Sequence, residues 1–208
     1  MHPTTSPRDT YNTVAIWLHW SMALLIVTNI GLGFGHEWVS RPVSQQFMWL
    51  HKSIGLTVLF LAVFRLIWRL THRIPALPDH TPTWEKWAAR LSHWSLYFVI
   101  ISLPLVGWLM MSASPRNAPI PFWGLEMFKL PGFADMDQAM RKTQAHIYGE
   151  RHEQLAWILI ALVTIHILAA LKHQFWNKDI VLHHMIPAAK PGVAARLNAD
   201  AAEPGREV

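Results

Sequence analysis

Two histidines, at positions 152 and 166, bracket the almost wholly apolar stretch HEQLAWILIALVTIH. On a helix rising about 1.5 Å per residue they lie roughly 21 Å apart along the axis. At 100° per residue their angular offset is about 40°, so both project from nearly one face. A single helix would thus offer two nitrogen ligands at two depths. His19, His51 and His93 fall near the ends of three further apolar runs. Ionisable groups inside membrane-length segments are costly and usually functional. An ordinary hydrogen-bonding role between helices explains one such histidine, but it explains a depth-matched set poorly.

The elements that must position these side chains are four apolar segments, 14–35, 49–70, 91–111 and 152–171. Each is near the ~20 residues that cross a ~30 Å hydrocarbon core as a helix. Only 15% of the 208 residues are charged and 52% are hydrophobic, an unusual balance for a water-soluble globule. Tryptophan is abundant, 12 in all, as expected where indole rings anchor helices at membrane interfaces. The first run is too long for a secretory signal and no small-residue cleavage site follows it. Pro104 should kink the third run, which neighbouring helices tolerate. The expected fold class is all-α, an integral membrane four-helix bundle.

Basic residues set the expected orientation. With the N-terminus inside, the inner side receives Arg8, Arg65, Arg69, Arg73, Lys86, Arg90, Lys172 and Lys178. The outer side carries Arg41, Lys52, Arg116, Lys129, Arg141, Lys142 and Arg151. The inner excess near helix ends makes both termini cytoplasmic. Residues 1–13 read as a cytoplasmic segment, 14–187 as the bundle, and the Ala-, Pro- and Gly-rich stretch 188–208 as a disordered tail. The stretch TPTWEKWAARL (81–91) reads as amphipathic, lying along the inner surface. No internal repeat is strong enough to argue from.

Depth pairs the histidines. His51 and His152 share the outer level, and His19 and His166 the inner one. Two levels with two imidazoles each suit two haems with bis-histidine ligation. Structural zinc would want four clustered ligands, and a carboxylate di-metal site would want acidic residues that the helices lack. The absence of cysteine excludes covalent c-type haem, thiolate clusters and disulfides. Gly33 lies fourteen residues after His19, and Gly107 fourteen after His93, each near its histidine's face at the other depth. The missing side chain is expected to make room for the second macrocycle, although ordinary small-residue packing accounts for either glycine alone. Six-coordinate iron leaves no vacant position for substrate, so the expected chemistry is single-electron transfer across the bilayer.

The sequence resembles the bacterial cytochrome b561 family, in its small four-helix diheme branch typified by superoxide oxidase. The resemblance covers roughly residues 11 to 187. It rests on LHW in the first helix, LHKSIG with FRLIWRL in the second and SHWSLYFVIISLPLVGWLMM in the third. It continues with HEQLAWILIALVTIH, ALKHQFWNKD and MIP. It implies two haem b groups, ligated by His19 with His166 and by His51 with His152, in a multi-pass protein of the bacterial inner membrane. His93 matches a family histidine and is surplus to that pairing, as a propionate partner, a quinone-site residue or an alternative ligand.

The resemblance further implies transfer of electrons from periplasmic superoxide to ubiquinone. An anion that small needs an electropositive approach, for which Arg116 and Arg151 in the long outer segment 112–151 are the candidates. Trp20, His93, Lys172 and His173 could surround a quinone at the inner end. The rival reading is an adaptor, a haem-bearing anchor passing electrons between a partner dehydrogenase or cytochrome and the quinone pool. An apolar docking face in PIPFWGLEMFKLPGF would favour that reading, and an open basic cup would favour superoxide. A non-redox membrane protein would require the depth matching to be coincidence. Membrane lipid, quinone and superoxide or a periplasmic redox partner are the expected partners, with no nucleic acid among them.

Overall fold

The computed structural model describes residues 12–72, 82–116, 118–176 and residue 185. Most of the expected cytoplasmic segment 1–13 and the whole tail 188–208 lie outside the described residues. Four long helices make up the bundle: α1 (Thr13–Gly35), α2 (Arg41–Thr71), α3 (Thr83–Ala113) and α4 (Gln138–Phe175). All four are long and apolar enough to cross a membrane. Leu24, Phe98 and Leu168 are 69%, 68% and 60% exposed on their outer faces, where only lipid would cover them. The chain is a multi-pass membrane protein.

The helices run past their apolar segments because the boundaries are set by caps, not by hydropathy. The Asn12 side chain accepts from the Val14 amide at 2.8 Å and starts α1. Asp137 does the same for α4 by accepting from Met140 N at 2.7 Å. Pro42 opens α2 in the first turn, where a missing amide hydrogen costs nothing. The helix α4 consequently starts fourteen residues before His152 and spans 38 residues, roughly 57 Å. Of the stretch 81–91, expected to lie along the inner surface, residues 83–91 are the first part of α3 itself. No breaker separates it from the spanning segment, and Glu85 ties it to α4 through Lys172 Nζ at 2.7 Å. Pro104 sits inside α3, which continues through it.

The end of α3 is held by α4. The Arg141 Nη2 group donates to the Ser114 carbonyl at 2.9 Å and to that of Ser112 at 3.4 Å, while Nε donates to Ala113 at 3.3 Å. These are the carbonyls that a helix C-terminus leaves without partners. Between α3 and α4 an antiparallel hairpin forms from β1 (Ile120–Phe122) and β2 (Leu125–Met127). Its turn, Trp123-Gly124, has positive φ at both positions, 51° and 89°, as the tight hairpin turn requires.

The core between the helices is layered. Ile26, Ile54, Val58, Val99 and Leu159 form one buried apolar cluster with contributions from all four helices. Ile26 is midway along α1 between His19 and Gly33, and Leu159 midway along α4 between His152 and His166. An apolar layer therefore separates the two histidine levels. Arg141→Ala should lower stability by on the order of 1–3 kcal/mol through the lost carbonyl bonds. Thermal unfolding in detergent checks this; an unchanged midpoint would mean that α3 ends without this cap.

Candidate functional site

Each helix carries a pair of marked residues fourteen positions apart, four turns along one face. They are His19 and Gly33 on α1, His51 and Arg65 on α2, His93 and Gly107 on α3, and His152 and His166 on α4. The helices assemble so that Gly33, His51, Gly107 and His152 meet at one level, and His19, Arg65, His93 and His166 at the other.

At the first level the His51 and His152 rings lie 6.0 Å apart between centroids, crossing at 74°. His51 Nδ1 donates to the Asn29 carbonyl and His152 Nδ1 to the Leu103 carbonyl, both at 3.0 Å. Asn29 and Leu103 each stand four residues before a glycine, Gly33 and Gly107. The coincidence has a steric cause. A Cβ on Gly33 would meet His51 Cε1 at 2.9 Å, and one on Gly107 would meet His152 Cε1 at 3.0 Å. The glycines clear the helix surface so that the imidazole can reach the carbonyl one turn back. Each glycine thus faces an imidazole of the neighbouring helix, at the level where a macrocycle is expected. A carbonyl only accepts, so both Nδ1 atoms carry the proton and both Nε2 atoms keep a lone pair.

These rings border a cavity of about 360 Å³, floored by Ile26, Val58, Ile100 and Leu159 and edged by Lys52, Glu37 and Glu153. That size is in the range of small-molecule and cofactor pockets.

At the second level His19 and His166 have centroids 6.2 Å apart at 67°, and His93 and His166 are 5.6 Å apart at 60°. Here the neighbour is a cation. Arg65 Nη1 donates to His19 Nδ1 at 3.0 Å, and its Nε donates to the Tyr97 hydroxyl at 3.2 Å. An arginine always donates, so this contact puts the His19 proton on Nε2. Ligation through Nε2 would need the guanidinium to turn aside.

The remaining candidates scatter. Arg116 is exposed beyond the end of α3, and Arg151 is exposed on α4, donating to Gln154 Oε1 at 2.8 Å. The Trp20 indole donates to the Met185 carbonyl and stands 5.3 Å from the His19 ring. Lys172 and His173 face Glu85, at 2.7 and 3.7 Å. Sequence reasoning placed Arg65 only as an inner charge; its distance of fourteen residues from His51 was the available signal. Asn29, whose buried Oδ1 has no hydrogen-bond partner, carried no sequence signal at all.

A profile for prokaryotic cytochrome b561 matches residues 10–188, which covers all four helices and both histidine levels. This chain belongs to the prokaryotic cytochrome b561 family. It is 30% identical over 191 residues to cytochrome b561 homolog 2 of Escherichia coli (strain K12), covering 88% of this chain and 94% of that protein. Cytochrome b561 homolog 1 of the same organism is 27% identical over 182 residues, covering 86% and 98%. A protein named probable superoxide oxidase CybB, from Yersinia pestis, is 25% identical over 177 residues, covering 85% and 96%.

The family binds b-type haem and transfers electrons in the membrane, and the residues present fit that group. Metal–histidine bonds of about 2 Å on each side of one ion separate two coordinating ring centroids by roughly 6 Å. The His51–His152 and His19–His166 spacings match this, and the His93–His166 spacing is shorter. No three His, Cys, Asp or Glu side chains cluster as a chelating site among the described residues. Gly33→Ala and Gly107→Ala should each lower the haem-to-protein ratio in a pyridine haemochrome assay. Gly31→Ala, whose Cβ would meet nothing within 4 Å, should leave it unchanged. Equal ratios in all three variants would remove the glycine contacts from the account.

Proposed function

We propose that this protein holds two haem b groups, ligated by His51 with His152 and by His19 with His166. In this reading it passes electrons across the inner membrane from periplasmic superoxide to ubiquinone. The observation that carries the reading is the pairing of imidazoles at two levels with α4 contributing to both. Haem held by two imidazoles supplies a one-electron carrier without an open position on iron. The protein's own part is to hold the ligand nitrogens, to order charge around them and to keep water out. At the His51–His152 level the backbone carbonyls of Asn29 and Leu103 preset the ligating tautomer. At the other level Arg65 and Tyr97 place a cation beside His19, where an anionic haem substituent would also find a partner.

The basic residues near the inner helix ends support cytoplasmic termini and, with them, a His51 level on the periplasmic side. Superoxide would approach the cavity edge, where Lys52 stands with Glu37 and Glu153, so the attracting field must come from exposed Arg116 and Arg151 as well. Arg141 is committed to capping α3. Support for superoxide also comes from the printed name of the Yersinia pestis relative. Two superoxide anions each lose one electron to become dioxygen, and one ubiquinone takes both electrons with two protons to become ubiquinol. We assign quinone reduction to the level of His93, with His93, Trp20 and the Lys172–His173 pair as the candidate lining.

Replacing His152 with Ala should remove one haem and replacing His166 with Ala the other, each leaving a distinct low-spin absorption band. If both variants keep two low-spin haems, the ligand assignment is wrong. In the purified protein with oxidised ubiquinone, a steady superoxide source should reduce the haem bands and form ubiquinol, and superoxide dismutase should abolish both. Haems that stay oxidised under superoxide yet equilibrate with added ubiquinol would instead indicate an adaptor that needs a protein donor.

A further inference from the structure

The β1–β2 hairpin follows α3, where a water-exposed loop is expected, yet it folds back along the spanning part of α2. The Trp123 amide donates to Ser53 Oγ at 3.3 Å, and its indole N–H donates to Thr57 Oγ1 at 2.8 Å. The Phe122 ring lies 5.8 Å from that of Phe60. Residues 53–64 of α2 contain no charged side chain, and they lie between Lys52 and Arg65. Thr57 is six residues past His51, which is roughly 9 Å further along the helix. Wherever α2 crosses a bilayer, this uncharged stretch lies in hydrocarbon. The hairpin beside it must be at the same depth.

Irregular backbone survives there only if its polar groups are satisfied. The two strands pair with each other in the register Ile120 with Met127 and Phe122 with Leu125. Pro119 and Pro121 remove two amide hydrogens from the edge strand. Trp108 Nε1 donates to the Phe128 carbonyl at 2.9 Å, and the Leu130 amide donates to Ser112 Oγ at 3.0 Å. Inward, Ile120 packs in a cluster with Leu56, Leu59 and Trp108, closing the cleft between α2 and α3 beside the His51–His152 cavity. Outward, Trp123, Leu125 and Phe128 are 50%, 69% and 65% exposed. Glu126 and one side of Leu125 line a separate groove with Gln45, Trp49 and Lys52, toward the polar start of α2.

We infer that the hairpin is a re-entrant wedge seated in the outer part of the bilayer, with Trp123, Leu125 and Phe128 against lipid acyl chains. The apolar surface of this segment, which as a free loop would have suited a docking protein, is continuous with the lipid-facing side of α2 at Phe60 and Phe64. Lipid is therefore its partner.

The chain has no cysteine, so single nitroxide labels can be placed directly. Labels at Leu125→Cys and, independently, Phe128→Cys would be compared in proteoliposomes with Phe64→Cys on α2 and Arg116→Cys in the loop. Each labelled protein must keep the unlabelled haem absorption. Collision rates with oxygen and with a neutral water-soluble nickel chelate should give both hairpin labels the high-oxygen, low-nickel pattern of Phe64→Cys. Nickel access equal to that of Arg116→Cys would overturn the inference by placing the hairpin in water. Low access to both reagents would overturn it too, since it would mean that protein covers the hairpin.

Discussion

The bond on which the site depends joins a ring nitrogen of one helix to a main-chain carbonyl of the next. Inside a bilayer an imidazole cannot leave its N–H without a partner, because no water is present to take it. His51 and His152 solve this in the same way, each using a carbonyl four residues before a glycine on the neighbouring helix. Donation at Nδ1 leaves Nε2 with a lone pair facing the space between the helices. Two such lone pairs, on rings 6.0 Å apart, form a site that is satisfied only when something between them accepts both.

The bundle follows from repeating this arrangement. The interval of fourteen residues is four helical turns with a small angular drift, so each helix can serve both levels without supercoiling far. His51 on α2 bonds the carbonyl four residues before Gly33 on α1, and His152 on α4 bonds the carbonyl four residues before Gly107 on α3. The pair α1–α2 is thus a structural counterpart of α3–α4. The counterpart is broken where Arg65 replaces an imidazole. One level is built from main-chain dipoles and the other carries a full positive charge, so the two levels offer different electrostatic surroundings to similar imidazole pairs. The apolar layer of Ile26, Val58 and Leu159 keeps them apart.

The helices and the depth-matched histidines were legible because membrane length and helical period leave a direct mark on the sequence. The cap-defined ends were not, since hydropathy falls before a helix stops; α4 begins at Gln138 in a polar stretch and α3 at Thr83. The glycines were legible by their spacing, but the imidazole that each one faces was not. Spacing along one helix gives depth, while the neighbour depends on how adjacent helices are rotated. The internal counterpart escaped detection because it is carried by a few positions of differing residue type. The hairpin escaped it too: its prolines and apolar residues suggest a loop or a docking face until Ser53 and Thr57 on α2 are seen to hold its turn.

Whether two pairs of imidazoles each hold one haem is decided by counting haems and reading their spin state together. Haem per chain in the purified protein would be measured beside low-temperature electron paramagnetic resonance of the oxidised form. Two bis-imidazole sites should give two haems per chain, both ferric low-spin with two nitrogen ligands. A single haem per chain, or a high-spin ferric signal that persists in intact protein, would contradict this.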